Sequence, residues 1–200
     1  EVQHYTNRTA NAVIEDGILK IIAKKESFTD QGYTKQYTSA RLNSKYSFTY
    51  GRVEVRAKLP FGVGTWPAIW TLGKNINENG GYWDTQGYGT TGWPACGEID
   101  IMEHWGTNQN YVQSAIHTPS SFGGTVNLGG QSIPTASTEF HDYTFVWTPD
   151  KLVFSVDGNI HYTYNPLVKD NTTWPFDADQ YLLLNVAIQS VIDPTFTQSA

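Results

Sequence analysis

The chain has 200 residues, long enough for a sizeable hydrophobic core. Only 16% are charged while 14% are aromatic, with 18 Gly, 9 Pro, 7 Trp and 12 Tyr, a mixture suited to an all-β extracellular domain rather than a helical cytoplasmic one. A net charge of −6 without any Lys/Arg cluster argues against a nucleic-acid partner, no apolar run reaches membrane-spanning length, and the single Cys96 excludes an internal disulfide.

Strands and turns follow one another along the chain. Asp16-Gly17 makes a turn before a strand at residues 18–24, and another strand is expected at 37–42. Residues 51–60 alternate cleanly, with Val53, Val55, Ala57 and Leu59 inward and Arg52, Glu54, Arg56 and Lys58 outward. Trp66 and Trp70 are four apart and share one strand face. Residues 75–92 form the longest polar, Gly-rich loop, aromatic for a linker through Tyr82, Trp83 and Tyr88. Residues 111–117 read as the neighbour of the acidic strand described below, and 118–137 as a surface excursion. Strands at 143–147, 152–156 and 160–164 follow, the last two joined by an Asp157-Gly158 hairpin turn. Residues 181–188 are apolar apart from Asn185, as in a central buried strand. No stretch carries helical periodicity for three turns, there is no repeat or linker, and the pattern predicts one domain over 1–200, a sandwich of two antiparallel sheets.

Three carboxylates within six residues stand out: Glu98, Asp100 and Glu103 in EIDIME. Period-two alternation turns Glu98 and Asp100 to one face and Ile99 and Ile101 to the other. Strict alternation would then bury Glu103 unpaired, which is costly. A β-bulge resolves the conflict: one extra residue returns Glu103 to the face of Glu98 and Asp100 and leaves Ile99, Ile101 and Met102 on the apolar side. A solvated acidic face or a calcium site are the plainer readings. Calcium prefers oxygen ligands gathered by a loop, which a strand with branched apolar residues between its acids supplies poorly. Trp66, Trp70, Trp93 and Trp105 lie close in sequence, and aromatic faces beside carboxylates are what a sugar cleft needs.

The segments WPACGEIDIMEHWG, GTWPAIW, YTSARL, YGRVEVRAKLP, SAIHTP and VWTPDKLVFSVDG together resemble the bacterial laminarinases, endo-1,3-β-glucanases of glycoside hydrolase family sixteen, in order from Glu1 to about Asn185. The resemblance implies a β-jelly-roll sandwich with a concave substrate cleft and a retaining mechanism. Glu98 is then the nucleophile, Glu103 the acid/base with a raised pKa, and Asp100 a partner hydrogen-bonded to Glu98. It implies sugar contacts from Trp93, Trp66 or Trp70, from Glu54 and Arg56, which match polar positions in relatives, and from Asn185. Gln113 and His117 share a face on the neighbouring strand; His117 is a candidate to steady Glu103 or a sugar hydroxyl, although a lone histidine is more often structural. Glu54 and Arg56 also read as a solvated pair, and Trp147 as core. Cys96 reads as a small residue near the cleft.

No metal is expected in catalysis. Relatives usually extend beyond EVQHYTNR and FTQSA into strands that pair and help form a structural calcium site, whose ligands are expected at those ends. The expected partner is a β-glucan, with no nucleic acid or membrane, for a secreted monomer whose targeting segment has been removed. Two other readings stay open: a non-catalytic β-glucan-binding module, and a hydrolase or transglycosylase acting on mixed-linkage glucan, agarose or carrageenan.

Overall fold

The computed structural model describes residues 1–190 and the backbone of 198–199. The strands in chain order are β1 (Gln3–Tyr5), β2 (Ala12–Glu15), β3 (Ile18–Ile21), β4 (Ala23–Asp30), β5 (Tyr33–Ser39), β6 (Arg41–Phe48), β7 (Gly51–Ala57) and β8 (Thr65–Gly73). After a one-turn helix, α1 (Tyr82–Thr85), come β9 (Glu98–His104), β10 (Tyr111–His117), β11 (Leu128–Ser132), β12 (His141–Trp147), β13 (Leu152–Val156), β14 (Asn159–Tyr164), β15 (Gln180–Ile188) and β16 (Gln198–Ser199). A six-stranded sheet runs β11-β10-β9-β8-β15-β6, and a four-stranded sheet, β14-β13-β12-β7, packs against it. A second four-stranded sheet, β1-β5-β4-β16, and the β2-β3 hairpin complete the architecture. The result is the expected all-β sandwich, a jelly roll whose described strands pair antiparallel except for β1 with β5.

Alternation explains the core. Ile69, Ile99, Ile101, Met102, Val112 and Ile116 from the six-stranded sheet meet Tyr143, Phe145, Trp147, Leu152, Phe154 and Val156 from the facing sheet. Trp147 is core, its indole N–H donating to the Phe176 carbonyl at 3.0 Å. The 157–158 hairpin turn has both residues in the left-handed region, with φ of 50° and 79°, as a two-residue turn between twisted strands requires.

Most predicted strands shift by one to three residues at an end, and three predicted segments differ more, each for a non-local reason. The strand expected at 18–24 breaks at Ile22, where buried Asn11 brackets the backbone: the Ile22 N–H donates to the Asn11 carbonyl (2.8 Å) and the Asn11 side chain donates to the Ile22 carbonyl (2.9 Å). The strand at 37–42 divides at Ala40 into β5, which pairs with β4 and β1, and β6, which pairs with β15. The excursion at 118–137 contains β11. Its Leu-Gly-Gly-Gln-Ser sequence hides the strand because close packing demands glycine: a Cβ on Gly130 would lie 2.3 Å from the Val112 carbonyl oxygen on β10.

Candidate active site

The bulge lies where the alternation conflict placed it. Against β8, Met102 pairs with Ile69 and Asp100 with Trp70, so Ile101 is the extra residue; against β10, Glu103 pairs with Gln113 and Asp100 with Ala115. The Ser114 hydroxyl donates to the Ile101 carbonyl at 2.7 Å, satisfying an acceptor in the disrupted stretch of ladder. Ile99, Ile101 and Met102 are buried in the core. Glu98, Asp100 and Glu103 therefore share the outer face of the six-stranded sheet.

Each glutamate has an indole donor. The Trp93 N–H donates to Glu98 Oε2 at 2.9 Å and the Trp66 N–H to Glu103 Oε1 at 3.1 Å. Trp66 is stacked on Trp105, ring centroids 5.9 Å apart, so Trp105 belongs to the Glu103 end of the cleft. The Trp70 N–H donates to Asn185 Oδ1 (2.7 Å), and the Asn185 amide donates to the Tyr5 hydroxyl (3.1 Å). The requirement that a polar residue in an apolar strand find partners is thus met within the protein. Gln113 stands opposite Glu103 on β10.

Asp100 does not take the expected place. Instead of bonding to Glu98 it directs Oδ2 to His117 Nε2 at 3.0 Å, and the same nitrogen lies 3.6 Å from Glu98 Oε1. Two carboxylates gain nothing from direct contact when both are ionised, and the imidazole nitrogen lies close to both of them. His117 sits with Glu98 and Asp100, rather than beside Glu103. The Asp100–His117 contact is close in distance but not aligned as a hydrogen bond.

Burial dominates the electrostatics. Burial, joined at both glutamates by the neighbouring Asp100 charge, raises Glu98, Asp100 and Glu103 each to about 8. The raised pKa expected for Glu103 alone extends to all three acids, because the cleft floor desolvates them together. Opposing this, His117 and the Trp93 N–H stabilise the ionised form of Glu98, and the Trp66 N–H that of Glu103. Glu98, Asp100 and His117 also place ligand atoms within 4.8 Å of one another, so the set has the composition to hold a metal ion. Cys96 is buried against Leu72, Tyr181 and Leu183, with its thiol pushed up to about 12 by burial.

Glu54 and Arg56 require correction as site residues. They lie on β7, in the facing sheet, and point to solvent on the far side of the core from Glu98. Glu54 pairs with Arg52 and accepts from Thr144; Arg56 reaches Asp142 at 3.4 Å. Alternation separates inside from outside but not one sheet from the other.

Other residues at the cleft come from elements whose pairing is not local. Arg41, opposite Asn185 on β6, pairs with Glu78 at 2.9 Å and sits over the Trp70 ring at 5.2 Å. Glu78 belongs to the aromatic loop, which is fastened rather than free: Lys74 Nζ lies 4.8 Å from the Trp83 ring centroid and 3.9 Å from that of Tyr88. Arg41, Trp70, Glu78, Trp93 and Glu98 help line a pocket of about 320 Å³ beside the acids. The YTSARL motif contains Arg41, but only the β6–β15 register brings it to this face.

A β-sandwich whose exposed sheet face carries two indole-bound glutamates in an aromatic cleft is built to cleave carbohydrate. The chain belongs to the glycosyl hydrolases family 16, whose profile matches residues 2–189. It is 40% identical over 210 residues to a β-glucanase of Rhodothermus marinus, covering 97% of this chain and 68% of that protein. A glucan endo-1,3-β-glucosidase A1 of Niallia circulans is 36% identical over all of this chain, which spans 30% of that protein's length. A crystal structure of a LamA variant from Z. galactanivorans, in complex with laminaritriose and laminaritetraose, superposes with a TM-score of 0.89 at 45% identity, covering 100% of this chain and 81% of that one.

Proposed function

We propose that the protein is an endo-acting, retaining hydrolase of β-1,3-glucan, working outside the cell on a polymer of laminarin type. The observation that carries this reading is the bulge at Ile101, which sets Glu103 on the face of Glu98 and provides the two carboxyls that double displacement requires. The family membership and the glucanase relatives support the substrate class.

Glu98 is the nucleophile. His117 and the Trp93 N–H favour its ionised form, which attacks the anomeric carbon and forms a glycosyl-enzyme ester. Both glutamates are raised to about 8, and in the reactive form the proton rests on Glu103, which delivers it to the departing glycosidic oxygen. Forming the ester removes the charge on Glu98, which lowers the cost of ionising Glu103. Glu103 can then take a proton from water as that water attacks the anomeric carbon and expels the Glu98 carboxylate, restoring both acids with the anomeric configuration retained. His117, shared with Asp100, is a positioning residue for Glu98. Trp66, Trp70, Trp93, Gln113 and Asn185 offer stacking faces and hydrogen bonds to the sugars. Attack and proton transfer are both carried out by side chains, so the scheme needs no cofactor.

The test is time-resolved proton NMR of laminarin with the purified protein, run beside lichenan, agarose and carrageenan. New reducing ends from laminarin, released first as the β-anomer, are expected. Binding without new reducing ends would make the chain a glucan-binding module, and α-anomer release would overturn the double displacement.

A further inference from the structure

Phe122 is a half-exposed aromatic with an unusually firm foundation. It is 51% exposed, in the loop that leaves β10 immediately after His117. The loop closes on itself through reciprocal Thr118–Ser121 backbone hydrogen bonds, both 3.0 Å, and is tied to a distant segment by the Ser120 N–H donating to the Thr172 carbonyl at 2.9 Å. Beyond Phe122 the buried Thr125 hydroxyl donates to the Ile116 carbonyl (2.9 Å). Ser121 Oγ contacts the Thr125 hydroxyl and accepts from the Val126 N–H, each at 3.0 Å. This frame is polar, so the phenyl ring does not belong to the core. Its aromatic neighbour is Trp93, met edge to face at a centroid distance of 5.4 Å. Trp93 is itself 44% exposed, lies 5.9 Å from the His117 ring, and donates to Glu98.

Position gives the ring its meaning. The pocket containing Arg41, Trp70 and Glu78 opens on the β8 and β6 side of Glu98, whereas Phe122 comes from the β10 side. Trp93 borders both. A polysaccharide seated in the pocket and passing across Glu98 reaches the Trp93–Phe122 pair on its way out. A rigid, preorganised aromatic face suits the apolar C–H face of a pyranose, because little ordering entropy is lost on contact.

We propose that Phe122 is a glucan-contacting residue that extends the cleft by one sugar position beyond Trp93 and so sets the preference for long over short β-1,3-glucans. The inference rests on the glucanase reading above. Its test is steady-state kinetics of Phe122→Ala, Phe122→Leu and Phe122→Tyr on laminaritriose, laminarihexaose and laminarin, with thermal melts of each variant. For Phe122→Ala we expect KM on laminarin to rise about five- to tenfold with kcat nearly unchanged, in keeping with the worth of one aromatic contact. The penalty should shrink on laminaritriose, Leu should rescue poorly, and Tyr should restore the wild-type value. An unshifted KM on laminarin overturns the proposal. So does a loss equal at every chain length, or one that tracks a fall in melting temperature, since those mark a role in supporting Trp93. Absence of wild-type turnover on laminarin in the same assay fails the glucanase reading itself, whereas wild-type turnover with an unshifted Phe122→Ala KM fails only the platform.

Discussion

Strands β7 and β9 each carry a row of ionisable side chains on the outer face of a sheet, yet they do opposite things. On β7 the charges alternate in sign and lie in solvent: Arg52 with Glu54, and Arg56 with Asp142 across to β12. On β9 three acids stand without a Lys or Arg partner among the described residues, Asp100 and Glu103 buried and Glu98 nearly so, with an indole donor on each glutamate and one imidazole beside Glu98 and Asp100. Exposed ion pairs of the first kind contribute little, because solvent and salt screen them. Uncompensated buried acids of the second kind cost stability, and a strand that carries them does so for chemistry. Acidity alone does not mark a catalytic strand. Burial without cationic pairing does, and the pair of strands supplies its own control.

The sharpest way to break the comparison is to neutralise the two β9 glutamates one at a time. Glu98→Gln and Glu103→Gln should each lower kcat on laminarin by about 10²–10⁴-fold or more, the scale of a lost general acid or nucleophile, with circular dichroism unchanged. Near-normal turnover by either variant would remove that residue from the mechanism. His117→Gln should act through Glu98. Loss of the neighbour that favours its ionised form should move the acidic limb of the kcat/KM pH profile to higher pH, with kcat down about tenfold or more. A uniform fall with no shift of the limb would leave His117 a purely structural residue.

Stability against pH separates the two strands next. Glu103 has its folded-state pKa raised from 4.5 to about 8 by burial. Between those values the folded chain holds a proton that the unfolded chain has released, so stability falls as pH rises through the window. Glu103→Gln should therefore melt like the wild type below pH 4.5 and progressively higher above it. The gap should reach several degrees by pH 8, at about 2–4 °C per kcal/mol for a chain of this size. A constant gap at all pH values would show that the carboxyl is not held protonated.

How far the site could be read from residues follows from what each residue's position depends on. The bulge was legible because period-two alternation and the cost of a buried carboxylate conflict within six residues, a local contradiction with one cheap solution. β10 was legible at its full extent, Tyr111–His117, and so was the need of Asn185 for partners. Glu54 and Arg56 were given to the cleft by their match to polar positions in relatives, and their regular alternation carries no mark of which sheet they join. Tyr5, Arg41 and Phe122 escaped notice for the converse reason. Tyr5 meets Asn185 across 180 positions, and Phe122 is an ordinary loop aromatic until the fold sets it against Trp93. Asp100 was assigned a partner by motif, but its actual partner, His117, lies on another strand.

The smallest effects belong to β7, and their sign is the final check. Arg52 and the Thr144 hydroxyl hold the Glu54 carboxyl below its ordinary value, the reverse of Glu103. A depressed carboxylate contributes stability that is present above its unfolded pKa and lost as pH falls through the folded one. On a solvent-exposed strand that contribution is slight and screened by salt. Glu54→Gln and Arg56→Gln should leave kcat and KM on laminarin within about twofold of wild type. Any melting shift of Glu54→Gln should be a small loss seen at neutral pH that vanishes in acid, opposite in direction to the Glu103→Gln gain. A KM rise of about tenfold in either β7 variant, large enough to signify a lost sugar contact, would mean that the glucan reaches the facing sheet and that the two strands form one binding surface.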